Sequence, residues 1–205
     1  MLTIEKIKLL NIWKVNLFGE FSVSEVMSLS KKETKTWVFN ALKIFVRYNI
    51  INCRIKGNIN LYTLNINNPL ALHLLQFLEV QESINFQKIK LISKIIENIP
   101  IKNCSILIFG SYANKKQSPD SDLDVCFLVE NKLTEKKLKP RVNEIKLNHK
   151  IKIDDNYIIF EDFIQMLTNK EENLGKQIFR KHKLFYNPDI YYELIKEAYK
   201  RGFRP

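Results

Sequence analysis

Gly110-Ser111-Tyr112-Ala113-Asn114-Lys115-Lys116-Gln117-Ser118-Pro119-Asp120-Ser121-Asp122-Leu123-Asp124 decides how this chain is read. An apolar run, Ser105 to Phe109, leads into Gly110-Ser111, and ten residues later Asp122 and Asp124 head a second apolar run, Val125 to Val129. The pattern predicts a strand, a Gly-Ser turn, a polar connection and a second strand. Gly110 has no Cβ, so the backbone there can approach a phosphate closely. Ser111 offers a hydroxyl and an amide, and a helix starting at this point would aim its free N–H groups at anionic oxygens. Residues i and i+2 of a strand face one side, so Asp122 and Asp124 project together. Two carboxylates on one face suit Mg²⁺, a hard cation that prefers oxygen ligands and shares them with substrate phosphates. Strands this apolar are buried on both faces, and carboxylates at such an edge need a cation or hydrogen-bond donors.

Gly110-Ser111, ten residues, then Asp122-x-Asp124 resembles the signature of the minimal nucleotidyltransferases of the DNA polymerase β-like superfamily. The small prokaryotic members encoded beside HEPN-domain partners are the most similar, and the resemblance covers about residues 85 to 205. It implies that Asp122, Asp124 and a third carboxylate from a later strand hold divalent metal, with two Mg²⁺ ions expected. It implies that Gly110 and Ser111, with Lys115 and Ser121 beside them, hold the triphosphate of a substrate such as ATP. The implied reaction moves a nucleoside monophosphate to an acceptor and releases pyrophosphate. Among HEPN-paired members, which act as antitoxins, the acceptor is a tyrosine of the toxin partner. One departure stands out: the family often carries Arg-Gly where this chain has Asn114-Lys115, so Lys115 and Lys116 either replace the missing cation or form a solvated pair.

The third carboxylate falls in Lys150-Ile151-Lys152-Ile153-Asp154-Asp155-Asn156-Tyr157-Ile158-Ile159, which alternates like a strand over its first half. Alternation sets Asp154 opposite Ile151 and Ile153 without saying which face meets a metal. By resemblance the third acid follows an apolar strand residue, which favours Asp154; Asp155 is the alternative. Beyond it, Tyr157 to Leu167 passes from strand to helix, and a last helix is expected at about 188–199, with Arg180-Lys181-His182-Lys183 as a basic surface run.

The N-terminal third has a different character. Residues 1–68 hold ten Lys/Arg against four Asp/Glu, whereas residues 69–205 hold 23 against 18. The basic excess per residue is therefore about twice as large in the first segment, which makes it the better candidate for a nucleic acid backbone. Ile4, Ile7, Leu9, Leu10 and Trp13 mark a first helix, and Val23, Val26 and Met27 a second, short one after Ser22 or Ser24. Ser30-Lys31-Lys32-Glu33 reads as a capping box for a third helix carrying Val38, Ala41, Leu42, Phe45 and Tyr48. Two apolar strands around Lys56-Gly57-Asn58 make a hairpin. Three helices and a basic hairpin resemble a winged helix-turn-helix. That resemblance would set Lys31, Lys32, Lys35, Thr36 and Lys43, with Arg54 and Lys56 of the wing, toward DNA. Pro69 opens a strongly apolar helix that packs between domains or against a second subunit of a homodimer, and another helix is expected at about 84–98.

The whole chain reads as α/β of the α+β kind: a winged helix-turn-helix over 1–66, linking helices over 67–100, and a mixed-sheet nucleotidyltransferase domain with flanking helices over 101–205. Cys53, Cys104 and Cys126 are far apart without CxxC pairing, which fits a reducing cytosol. No apolar stretch reaches the ~18 residues of a membrane span. A soluble, cytoplasmic protein is expected.

Overall fold

The computed structural model describes residues 1–118, 121–148 and 152–205. The chain divides into two compact units, Met1–Leu78 and Glu79–Arg204, with Pro205 grouped with the first. Among the described residues no helix is long and apolar enough to cross a membrane.

The first unit opens with a helical run in which a 3-10 turn (Lys8–Leu10) joins α1 (Ile4–Ile7) to α2 (Asn11–Val15). Strand β1 (Glu20–Ser22), α3 (Val23–Leu29), α4 (Lys35–Arg47), β2 (Ile51–Lys56) and β3 (Ile59–Leu64) follow, and the three strands pair antiparallel in the order β1-β3-β2. Val38, Ala41, Leu42 and Phe45 of α4 are buried, at the spacing that predicted the helix, whereas Tyr48, expected on the same face, caps the helix C-terminus and is exposed. The two-residue loop of the hairpin uses Gly57 at φ +60°, a conformation that glycine adopts without steric cost. The capping box sits one helix earlier than expected. Ser22 accepts from the Glu25 amide, and the Glu25 carboxylate accepts from the Ser22 N–H at 2.7 Å. Ser30 instead ends α3: its hydroxyl donates back to the Val26 carbonyl at 2.6 Å, and Lys31 turns the chain through φ +53°. Helix α4 therefore starts after Thr34, which makes no side-chain cap.

The division between the units falls within α5 (Pro69–Ile84). The second unit holds α6 (Ile89–Glu97), which begins later than the sequence suggested, and a four-stranded mixed sheet in the order β6-β5-β4-β7. Central β4 (Cys104–Ile108) is buried throughout, and β5 (Leu123–Val129) is buried except at Asp124. They run antiparallel, as do β4 and β7 (Lys183–Tyr186), whereas β5 and β6 (Ile153–Ile159) are parallel. The crossover between the parallel pair is α8 (Lys132–Leu147), capped by the Asn131 side chain, which accepts from the Leu133 and Thr134 amides at 3.0 Å each. A short helix, α7 (Gly110–Ala113), connects β4 toward β5, and α9 (Phe160–Thr168), α10 (Leu174–Arg180) and α11 (Pro188–Lys200) complete the unit.

Both faces of the sheet are covered along most of its central strands, and one of them carries polar groups near one end. Ile106 and Ile108 of β4, Val125, Phe127 and Val129 of β5, and Ile153 of β6 join Leu138, Val142 and Ile145 of α8 and Ile92 and Ile95 of α6 in one core. Period-two alternation then places Asp124 of β5 and Asp154 of β6 on the opposite face.

Candidate active site

Gly110 follows β4 directly at φ +64°, in the left-handed region that side chains disfavour. Space as well as conformation demands glycine here: a Cβ built on Gly110 would lie 2.7 Å from Cγ of Asp124. The carboxylate of Asp124 thus packs against the bare backbone of the turn and accepts from the Ser111 N–H. The turn amide is aimed at an anionic oxygen, the chemistry that the sequence assigned to a phosphate.

Helix α7 ends in a Schellman arrangement. Lys115 adopts φ +56°, and the Lys116 N–H donates to the Ser111 carbonyl at 2.9 Å. Asn114 donates its side-chain amide to the Gly110 carbonyl at 2.8 Å and keeps φ −83°. The position that needs a positive φ is therefore Lys115, not Asn114. Its side chain is exposed beside the turn. Ser121 holds the end of the connection: its hydroxyl accepts from the Ser118 N–H at 2.8 Å and lies 3.0 Å from the Ser118 hydroxyl. Pro119 and Asp120, inside that connection, lie outside the described residues.

The choice between Asp154 and Asp155 can be set against the parallel register. Asp124 pairs with Asp154 and Val125 with Asp155, so the carboxylates of Asp124 and Asp154 share a face. Burial raises the Asp124 pKa, and the nearby Asp154 and Asp122 carboxylates raise it further, against the lowering by the Ser111 amide. Asp155 projects the other way. It forms an ion pair with Lys146 of α8 and sits beside Tyr157, whose hydroxyl pKa is pushed up by burial first and by Asp155 second. Lys150 and Ile151, the expected start of this strand, lie outside the described residues.

Asp122 and Asp154 are exposed, and Asp124 is half-buried. Among the described residues no three acidic, histidine or cysteine side chains converge as a ready-made metal cage. Magnesium does not require one, because it binds through one or two carboxylates and completes its shell with water and substrate phosphates. Oxygen-only donors, Asp124 and Asp154 on one face with Asp122 just ahead of β5, mutually repelling and beside a turn amide, fit that cation in type.

Two features were not read from the sequence. Asn156, two residues beyond Asp154 on the same face, places its amide 3.5 Å from the Asp154 carboxylate. Gln117, in the connection between turn and acids, has a buried Oε1 without a hydrogen-bond partner among the described residues. Strand alternation could have flagged Asn156; nothing local marks Gln117. The basic run at 180–183 is also less superficial than expected. The His182 ring stacks near Tyr191 and lies 3.9 Å from Glu79, which is 2% exposed and accepts from the Tyr192 hydroxyl at 3.0 Å. Lys183 is buried in an ion pair with Glu82.

The family model described as polymerase beta nucleotidyltransferase matches residues 87–191, a span that takes in the turn and all three aspartates. The chain belongs to the polymerase beta nucleotidyltransferase family. Residues 87–191, from α6 to the start of α11, are the nucleotidyltransferase part of the molecule. No curated protein matches the sequence. Two solved structures overlap it in part. One is the crystal structure of a possible transcriptional regulator for arsenical resistance, at 15% identity over 44% of this chain and 95% of that one, with a TM-score of 0.27. The other is the crystal structure of a toxin-antitoxin with AMP-PNP, at 17% identity over 55% of this chain and 86% of that one, with a TM-score of 0.35. Overlaps this slight do not bear on the chemistry.

Proposed function

We propose that this nucleotidyltransferase is a member of the minimal subfamily and moves AMP from ATP to an acceptor hydroxyl. The observation that carries the reading is the pairing of Asp124 with Asp154 on adjacent parallel strands, on the face that meets the Gly110-Ser111 turn. Asp122, Asp124 and Asp154 are the residues that would hold two magnesium ions. The metal, when bound, would neutralise charge on the transferred and departing phosphates. With the Ser111 amide held by Asp124, the Ser111 hydroxyl and the rest of the turn after Gly110 would meet the β- and γ-phosphates, with the Lys115 ammonium and Ser121 beside the tail. Asp154 orients the acceptor hydroxyl and takes its proton as that oxygen attacks the α-phosphorus. The bond from the α-phosphorus to the bridging oxygen breaks, and pyrophosphate leaves.

The acceptor proposed is a tyrosine of a HEPN-type toxin partner, which would make the protein an antitoxin. Incubation with ATP labelled on the α-phosphate and Mg²⁺, alongside a co-encoded partner, tests this. Label is expected on the partner with wild type and not with Asp122→Ala/Asp124→Ala. Nucleotide binding without label transfer would sink the enzymatic reading.

The first unit is proposed to be a winged helix-turn-helix that contacts DNA. A cleft of about 670 Å³ between the start of α4 and the hairpin, lined by Lys35, Thr36 and Asn60 among others, supports this. Arg54 of the wing is engaged by Glu20 of β1, and Lys56, the wing's other basic residue, also lies within the field of that carboxylate. A second reading is a DNA-binding regulator that uses the nucleotidyltransferase fold for sensing or assembly without catalysis. Lys115 at a positive φ where the family often has glycine favours it.

A further inference from the structure

A second cleft, of about 630 Å³, lies in the first unit, and Lys32, one of the basic residues that the winged-helix resemblance sets toward DNA, is among those that line it. Its volume falls within the range typical of small-molecule sites. Leu9, Ile12 and Phe21 line it, with Val15 and Leu29 left 79% and 57% exposed at its edge. Buried Leu9 and Ile12 belong to the helical run at the chain's start, and Leu29 ends α3, so the floor is fixed by two packed elements. The polar side is cationic. Lys8 and Lys32, both lining the cleft, share a single carboxylate: Glu5 meets Lys8 at 2.8 Å and Lys32 at 3.6 Å.

We propose that this cleft binds a small anion with an apolar body, an aromatic or branched-chain carboxylate, with its apolar part on Leu9, Ile12 and Phe21 and its charge between Lys8 and Lys32. Charge decides the occupant. Two ammonium groups with one carboxylate between them leave a net positive charge, which attracts a ligand anion and repels a second copy of this basic unit at the same surface. An apolar floor excludes a bare phosphate, which would lose its hydration there without gaining contacts. Occupancy has a built-in reporter, because the Lys32 ammonium also lies 5.0 Å from the Trp37 ring centroid and Phe21 packs edge-on to Trp13 at 5.6 Å.

The test titrates the full chain with 1-anilinonaphthalene-8-sulfonate, an aromatic anion, and with neutral N-phenyl-1-naphthylamine, reading dye and tryptophan fluorescence. Saturable binding of one anionic dye per chain, displaced by 1-naphthoate, is expected. Val15→Glu adds a charge at an exposed position, where the fold tolerates it, and should weaken the anionic dye by about tenfold or more. Leu29→Glu should do the same and guards against a local effect of the first change. Lys8→Gln/Lys32→Gln should weaken the anionic dye by about tenfold while leaving the neutral one within about twofold. No saturable binding, equal affinity for both dyes, or indifference to Val15→Glu and Leu29→Glu would overturn the proposal. So would a dimer in sedimentation that Val15→Glu dissolves, which would assign the cleft to a second copy.

Discussion

At Gly110 and Lys115, five residues apart, the same backbone demand meets opposite side chains. Gly110→Ala would combine a positive φ with a Cβ driven into Asp124, so a loss of about 1–3 kcal/mol and loss of nucleotide binding are expected, read by thermal unfolding and titration with ATP. Lys115→Gly should act the other way. Left-handed backbone costs a non-glycine residue about 1–2 kcal/mol, and glycine returns roughly 0.4–1 kcal/mol of that through its freer unfolded chain. A small net gain in unfolding midpoint is expected. If Lys115 also reaches the triphosphate, that gain comes with weaker ATP binding; a gain in both would show that the lysine has no part in it. Gly110, Ser111 and Asp124 were legible in the sequence because a turn and an alternating strand state their geometry locally, whereas Asp122, expected in the strand, lies just ahead of β5, where alternation does not set its direction. The choice between Asp154 and Asp155 was not, since alternation gives two faces and only the register with β5 says which one meets Asp124. His182 was misread for a related reason. A basic run looks solvated until its partner, Glu79, arrives from a hundred residues away.

At the scale of elements, two S-x-x-E sequences compete for one role. Ser22 and Glu25 form the capping box, and Ser22→Ala should cost about 0.5–2 kcal/mol. The bonds to Ser22 hold Glu25 below the usual carboxylate range, so its contribution is present above its unfolded pKa of about 4.3 and is lost as pH falls through the lower folded value. Unfolding midpoints of wild type and Glu25→Gln should therefore differ at pH 7 and converge on acidification. Ser30 and Glu33 make no such box, because the Ser30 hydroxyl is committed to the end of α3. Helix α8 escaped the sequence reading altogether. Its apolar stripe is sparse, its surface is rich in lysine, and Pro140 sits inside it. That proline removes a backbone donor and costs up to about 3 kcal/mol in a helix interior. Pro140→Ala should raise the unfolding midpoint, and the helix's role as crossover between β5 and β6 predicts that nucleotide binding stays unchanged.

For the whole molecule, the sequence separated a basic segment from a mixed α/β one, and the fold bears out a mixed sheet within a nucleotidyltransferase domain. What each part does for the other rests on function. If the first unit holds DNA through Lys35 and its neighbours, gel shifts on the upstream promoter should weaken steeply with salt, and Lys35→Gln/Lys43→Gln should flatten that slope by about 2. Absence of binding at low salt would remove the DNA reading and leave the nucleotidyl chemistry untouched. Asp124 and Asp154, paired across parallel strands and joined by Asp122, are proposed to receive a metal-bound triphosphate. Calorimetric titration with ATP in Mg²⁺ and in EDTA tests it most directly, on wild type, Asp154→Asn and Asp155→Asn. Magnesium-dependent binding is expected, weakened about tenfold or more by Asp154→Asn and left within about twofold by Asp155→Asn. Binding that ignores magnesium, or that depends on Asp155 and not on Asp154, would contradict it.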